Sequence, residues 1–284
     1  MSTLKSYHPK AIVQNTVAIA NKTIFNGLWL IKVLPPLILI IVWETASRLG
    51  YLKPLILPAP TAILKAAYFL IESGELFHHI GISLVRICKG YAVGAGLGLL
   101  IGLLIGIFKR FDQATTLLLE FLRPIPFFAW LPLIILWLGI SEATKTTIIA
   151  VGCFWPVLLN VVAGVKSVDK KYLEVALILE KNKYQTLIKV VLPSALPSIF
   201  TGLRIGMGMA WGAVVAAEVI ASTSGIGFLL MYSREMWQPD ITFVGTFAIG
   251  IIGLIIERIF TFIEDHLIIW NKGNKSNNRK GRIK

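Results

Sequence analysis

Cysteine and histidine are scarce in this chain. Its two cysteines, Cys88 and Cys153, fall in or beside apolar runs, and its four histidines, His8, His78, His79 and His266, are dispersed or near an end. No disulfide framework, metal-ligand cluster or Ser/His/Asp constellation follows, so no metal site and no catalytic residue is expected. Charge is sparse too: charged residues make up 15% of 284, with 15 acids against 28 bases. A Gly-x-x-x-x-Gly-Lys-[Ser/Thr] phosphate loop is lacking. Its nearest approach, Gly164-Val165-Lys166-Ser167, has no adjacent Gly-Lys pair, so ATP hydrolysis is not expected of this chain. Met1–Lys32 is mixed in character and shows no short apolar core followed by a small-residue cleavage site, which argues against a signal peptide.

Apolar residues are abundant instead. They make up 56% of the chain, and the mean hydropathy is +0.74, which excludes an ordinary soluble domain and implies an all-α polytopic membrane protein. Six apolar runs stand out: Leu28–Ala46, Gly90–Phe108, Pro124–Ile140, Thr146–Val165, Leu196–Ala221 and Ile241–Phe262. Most approach the ~20 residues that cross ~30 Å of hydrocarbon. The third is short and interrupted by proline, which predicts a broken or tilted span. Six spans put both termini on one side. With the termini cytoplasmic, most lysines and arginines fall in the N-terminal arm 1–27, at Lys109-Arg110, in the polar segment 166–197 and in the basic tail 271–284, as the positive-inside rule requires. The net charge of +13 reflects this asymmetry. Because the charge is spread over separate loops, no nucleic-acid partner is expected, whereas the tail suits anionic lipid headgroups.

Within the second run Gly90, Gly94, Gly98, Gly102 and Gly106 recur every four residues. That spacing puts them near one helix face, where small side chains allow close backbone approach, either as fixed packing or as a sliding surface. Gly202, Gly206, Gly208 and Gly212 give the fifth run a similar face. Upstream, Thr61 can cap a helix through Leu70, and Ser73-Gly74 separates it from a second interfacial helix over Leu76–Arg86 that leads into the second span. Ionisable residues in or near the runs are Glu120, Arg123, Arg204, Glu218, Glu257 and Arg258, and each needs a partner or a water-filled path. Arg204 is a candidate anion ligand or a structural partner. Glu218 would repel an anion and suits a structural or gating role. Trp155, Asn160 and Trp211 are further candidates for a substrate pathway.

The most informative segment is the polar stretch Lys166–Pro197, too polar for hydrocarbon yet helical in pattern. Leu173, Ala176 and Leu177 share one face, and Tyr184, Leu187, Ile188 and Val191 share another. Glu174-Val175-Ala176, Leu179, Leu192-Pro193 and Pro197 resemble the EAA loop of ABC-importer permeases, the membrane subunits of binding-protein-dependent transport systems. Glu180 stands where that family has Gly, and Asn182 is the candidate for the left-handed backbone position that glycine would supply. Arg123–Pro132 and Ala216–Gly227 resemble the branch that carries nitrate, sulfonates, taurine, bicarbonate and some pyrimidine vitamin precursors.

The resemblance implies a type I ABC-importer permease fold over residues 28–270 and a homodimer of two such copies. It implies an ATPase partner that uses ATP and Mg, this chain binding no cofactor itself, and an extracytoplasmic substrate-binding protein that supplies selectivity in a bacterial inner membrane. Glu174, Ala176, Leu179, Lys181, Tyr184 and Gln185 are then the ATPase-coupling residues, with Ala176, Leu179 and Tyr184 shielded by the ATPase. Ser222–Pro239 resembles the family's short re-entrant helix. Two other readings compete. An ion-coupled secondary transporter would need a functional mid-membrane charge or inverted repeats. A non-transporting membrane scaffold would use the hairpin for association alone.

Overall fold

The computed structural model describes residues 33–267. The arm 1–27, the opening of the first expected span and the tail 271–284 lie outside the described residues. The chain divides into two compact units, the first ending at Lys65 and the second running from Ala66.

In the first unit, residues 33–48 form helix α1, which leads toward α2, Pro60–Glu72. Proline at the first position suits a helix start, where no N–H partner is needed. Glu44 then completes the cap. Its carboxylate accepts from the Thr61 N–H at 3.1 Å and from the Thr61 hydroxyl at 2.8 Å, while Arg48 pairs with it from one turn on. Thr61 therefore donates its hydroxyl to a carboxylate borrowed from α1, where a capping role of its own was expected.

The second unit is built on three helices: α3, Glu75–Ile107; α6, Glu142–Lys166; and α9, Leu192–Ala221. The expected break at Ser73-Gly74 occurs, and the interfacial helix expected over Leu76–Arg86 runs on into the second span. Helix α3 is continuous for 33 residues, because Gly74 absorbs the turn at φ 76° and nothing after it interrupts the ladder. Between α3 and α6 lie α4, Lys109–Leu122, a 3-10 turn at Phe127–Trp130 and α5, Leu131–Leu138. The break carries Pro124 and Pro126, which have no N–H to donate, and the two halves meet at 85°. This is the broken third span that its prolines predict.

Five glycines fix how α3 meets α6. A Cβ on Gly90 would strike Ile149, on Gly94 Ala150 and Cys153, on Gly98 the Phe154 carbonyl and Val157, on Gly102 Val161, and on Gly106 Val165. The stripe is thus close packing within one chain. Both partners advance in the same direction along the sequence, so α3 and α6 run parallel. Two parallel spans require the chain to cross back between them, and the bent α4–α5 segment makes that return. Helix α9 runs antiparallel to α6, with Gly202 against Asn160, Gly206 against Val157 and Gly164 against Ser198. Gly208 and Gly212 face open space and do not join that contact.

The remaining helices are α7, Lys170–Ile178; α8, Lys183–Thr186; α10, Ile226–Glu235; and α11, Pro239–Leu267. Among the described residues four helical segments are long and apolar enough to cross a membrane, and the bent pair makes a fifth. The first expected span enters the described residues only from residue 33. The parallel pair also assigns ends. The C-terminal ends of α3 and α6 and the α7–α8 hairpin lie on one side, and α10 lies on the other.

Gly94→Ala is expected to lower the thermal stability of the detergent-purified protein by about 1–3 kcal/mol, because its Cβ would come closer than 3.0 Å to the Ala150 backbone. Gly96→Ala, where nothing lies within 4 Å, should leave the melting temperature unchanged or slightly higher.

Candidate functional site

Two constellations stand at opposite ends of the α3–α6–α9 core. The first is the polar hairpin. Asp169 caps α7 by accepting from the Lys171 N–H at 2.9 Å, and Asn182 caps α8 by accepting from the Gln185 N–H at 2.8 Å. Each is the expected use of a short polar side chain at a helix start. Between them the Glu180 N–H donates to the Leu177 carbonyl and the Lys181 N–H to the Ala176 carbonyl. This bond pair is a Schellman ending. It needs a left-handed residue, and Glu180 itself takes that conformation, at φ 51°. Asn182 does not, being extended at its cap position. The turn is therefore made with glutamate at the place a glycine would occupy without strain. After α8 the ladder widens into a π turn, Leu187–Val191, which closes on the bond from Leu192 N to the Leu187 carbonyl. Pro193, with no N–H to give to the Lys189 carbonyl, follows directly.

Ala176 is 3% exposed, buried by the hairpin itself. The expectation that a partner shields it is corrected on that ground. The side chains left bare are Tyr172, Val175, Leu177, Ile178, Leu179 and Tyr184. Glu174 and Lys181 are exposed and Gln185 is half-buried. Beside α7 lies a groove of about 690 Å³ lined by Ala176, Leu179, Lys181, Lys189, Pro193 and Pro197.

The second constellation is a buried charge cluster at the other end. Arg86 on α3 is 5% exposed and Glu218 on α9 is fully buried. One terminal nitrogen of Arg86 donates to Glu218 at 2.9 Å and to the Ser224 carbonyl at 2.6 Å. The other donates to Glu142 at 2.7 Å and to the Ser224 hydroxyl at 3.1 Å, and Nε reaches Glu142 at 2.9 Å. All five guanidinium hydrogens are used. Glu142 also accepts from the buried Lys145 at 2.7 Å, and Glu218 from Ser83 at 2.8 Å and the Gly227 N–H at 3.0 Å. Two cations thus face two carboxylates. Gly225, at φ 107°, brings the chain so close that a Cβ there would collide with the Glu218 carboxylate. Removing Arg86 or Glu218 would leave the other without its buried partner, at a cost of about 3–5 kcal/mol.

Of this cluster only Glu218 stands out in the sequence, and its structural role is what the geometry shows. Arg86, Ser83, His79, Glu142 and Lys145 were missed. A signal for three of them was present. His79, Ser83 and Arg86 continue the glycine stripe upstream at the same helical spacing.

The pathway candidates fare differently. Trp211 is 7% exposed and donates to the Ile249 carbonyl at 3.1 Å, bolting α9 to α11. Arg204 pairs with Glu264 at 3.2 Å and approaches Glu257 at 3.8 Å, so it is held by acids of α11. Asn160 donates to the Pro156 carbonyl one turn back, at 2.8 Å. Trp155 is half-buried beside Phe154.

With this architecture in hand, the chain was compared with known proteins. Residues 94–269 match the binding-protein-dependent transport system inner membrane component family. The chain belongs to that family. It is a membrane-spanning permease subunit of the ABC-importer type, and the hairpin and the α3–α11 core fall almost wholly within the matched region. It is 39% identical over 242 residues to a Bacillus subtilis protein named as the aliphatic sulfonates transport permease SsuC, covering 85% of this chain and 88% of that one. Against the Escherichia coli taurine transport system permease protein TauC it is 34% identical, covering 82% and 87%. Against the Synechocystis nitrate import permease protein NrtB it is 33% identical, covering 75% and 80%. In fold it is similar to a chain of the inward-facing MetNI methionine ABC transporter, at TM-score 0.55 and 16% identity over 67% of this chain and 93% of that one. An amino acid ABC transporter gives TM-score 0.56 at 16% identity, over 70% and 97%.

Glu180→Gly is expected to strengthen, and Glu180→Val to weaken, the protection of the Glu180 and Lys181 amides against hydrogen exchange, by about 1 kcal/mol in each direction. Equal protection in both variants would show that the hairpin carries no strain at Glu180.

Proposed function

We propose that this permease imports a small anion of the sulfonate, taurine, nitrate or bicarbonate class, delivered by an extracytoplasmic binding protein and driven by a separate ATPase. The observation that carries the energy-coupling part is the hairpin's surface. The lysine-rich α7–α8 hairpin, which cannot lie in hydrocarbon, leaves six large apolar side chains bare, among them Leu179 at 61% and Tyr184 at 70% exposed. Exposed apolar area of this kind marks a protein contact. The names of the permeases similar to this chain support the substrate class.

The reading assigns Glu174, Leu179, Lys181, Tyr184 and Gln185 to contact with the ATPase and gives Ala176 the task of shaping the hairpin. Two copies of the chain enclose the path, and both termini face the cytoplasm together with the hairpin. ATP and Mg are bound by the partner. Nucleotide-driven closure of the ATPases shifts the hairpins, and α9, which continues from α8 through the π turn, carries that motion into the core. Selectivity resides mainly in the binding protein.

Leu179→Asp should cut recovery of a phosphate-loop ATPase co-purified with the full-length permease by about tenfold or more, an exposed contact having been replaced by a charge, while permease yield stays at wild type. Ala176→Asp should instead lower the yield of folded permease, since a residue only 3% exposed leaves a carboxylate there largely desolvated. Undiminished ATPase recovery with Leu179→Asp, or wild-type yield with Ala176→Asp, counts against this assignment of roles.

A further inference from the structure

We propose that Arg86 is the positioning residue for the outer helix α10, fixing it to the α3–α6–α9 core so that the two move as one body. The transport cycle invoked here rests on the importer reading. The attachment itself rests on geometry alone.

A helix start leaves N–H groups that its own turns cannot satisfy. At the start of α10 those groups are met by side chains of other helices. The Gly225 N–H donates to His79 Nδ1 at 3.0 Å, the Ile226 N–H to the Ser83 hydroxyl at 3.0 Å and the Gly227 N–H to the Glu218 carboxylate at 3.0 Å. The residue just upstream is gripped through its other polar groups, Arg86 taking both the carbonyl and the hydroxyl of Ser224. Helices α3 and α9 thus hold the entry to α10 by the Ser224 carbonyl and the three N–H groups that follow it.

Arg86 is what organises this grip. The rigid fork of a guanidinium can meet Glu142, Glu218 and Ser224 at once, whereas an ammonium has three donors and no fixed plane. Its two acids differ in burial. The Glu218 side chain is fully buried and Glu142 is 63% exposed, at the border of a cavity of about 600 Å³ that Arg86, Lys89 and Ser224 also line. Glu218 is therefore the fixed anchor, and Glu142 extends the same grip to the start of α6. A core that reorients carries α10 with it, and the outer face changes without a hinge between Ser222 and Gly225.

The test uses the full-length protein in lipid nanodiscs with two spin labels on one copy, the labelled chain being diluted with an excess of unlabelled chain so that only the distance within one copy is read. One is on the native exposed thiol of Cys88 on α3, and the other is on Arg234→Cys, exposed on α10; Cys153 is buried and takes no label. With Arg86 intact the expected result is one narrow distance, unchanged when the ATPase complex is trapped with ATP. Arg86→Lys should lose that narrow distance. The double variant Arg86→Gln with Glu218→Gln should lose it too, and because it leaves no charge unpaired it should still fold. A narrow distance in either variant overturns the proposal, as does a shift on ATP trapping with Arg86 intact. Failure of both variants to fold overturns it as well, since the contact would then be a folding requirement. The measurements on the permease alone need no ATPase, so failure of the importer reading is told apart from failure of this one.

Discussion

A guanidinium in a low-dielectric interior tolerates no half-measures. Each unmatched N–H carries a full desolvation cost there, and each matched one is stronger than in water. Arg86 meets that demand by drawing on three separate places, the first turn of α6, the far end of α9 and the linker into α10. Those segments must converge, and most of the outer architecture follows from the convergence. Gly225 is forced to lack a Cβ by the same crowding, and α10 borrows its N-terminal partners from α3 and α9.

Below that point the glycine stripe of α3 extends the constraint down the membrane. Backbones that approach closely over five successive turns gain dispersion contact and leave no room for slippage, because a shift of one position would drive a Cβ into Ile149 or Val161. The region from the charge cluster to the hairpin therefore behaves as a stiff piece, with Trp211 and Arg204 tying α11 to it. The hairpin is held to the core through a π turn and one continuous helix, so a push on it is delivered along α9.

Much of this was legible in the residues. The apolar runs marked the spans, the proline pairs marked the broken one, and the lysine-rich segment with its Leu-Pro marked the hairpin. Glu218 was legible as a structural or gating residue because a carboxylate there would repel an anion, and its hydrogen bonds to Arg86, Ser83 and Gly227 give it the structural part. Three things were not. Glu180 was passed over for Asn182, because propensity favours asparagine for left-handed backbone; the hydrogen-bond register of α7 decided otherwise, placing the turn where the helix ended. Ala176 was read as part of a contact face, because periodicity says which residues share a face and not which face is covered. Arg86 was placed in an external interfacial helix, because Gly50–Lys89 was read as lying outside the second span. Had α3 been drawn as one helix, His79, Ser83 and Arg86 would have lined up above Gly90 and Gly94 on the same stripe.

The pairing of two cations with two carboxylates at the end away from the hairpin has an electrical meaning. Arg86 and Lys145 face Glu142 and Glu218, and His79 accepts through Nδ1 as a neutral ring. Moving one unpaired charge through the full membrane potential involves about 2.3 kcal/mol per 100 mV. A cluster that moves with no net charge does almost no work against that field. If this end reorients, the pairing makes that movement nearly independent of how strongly the membrane is polarised.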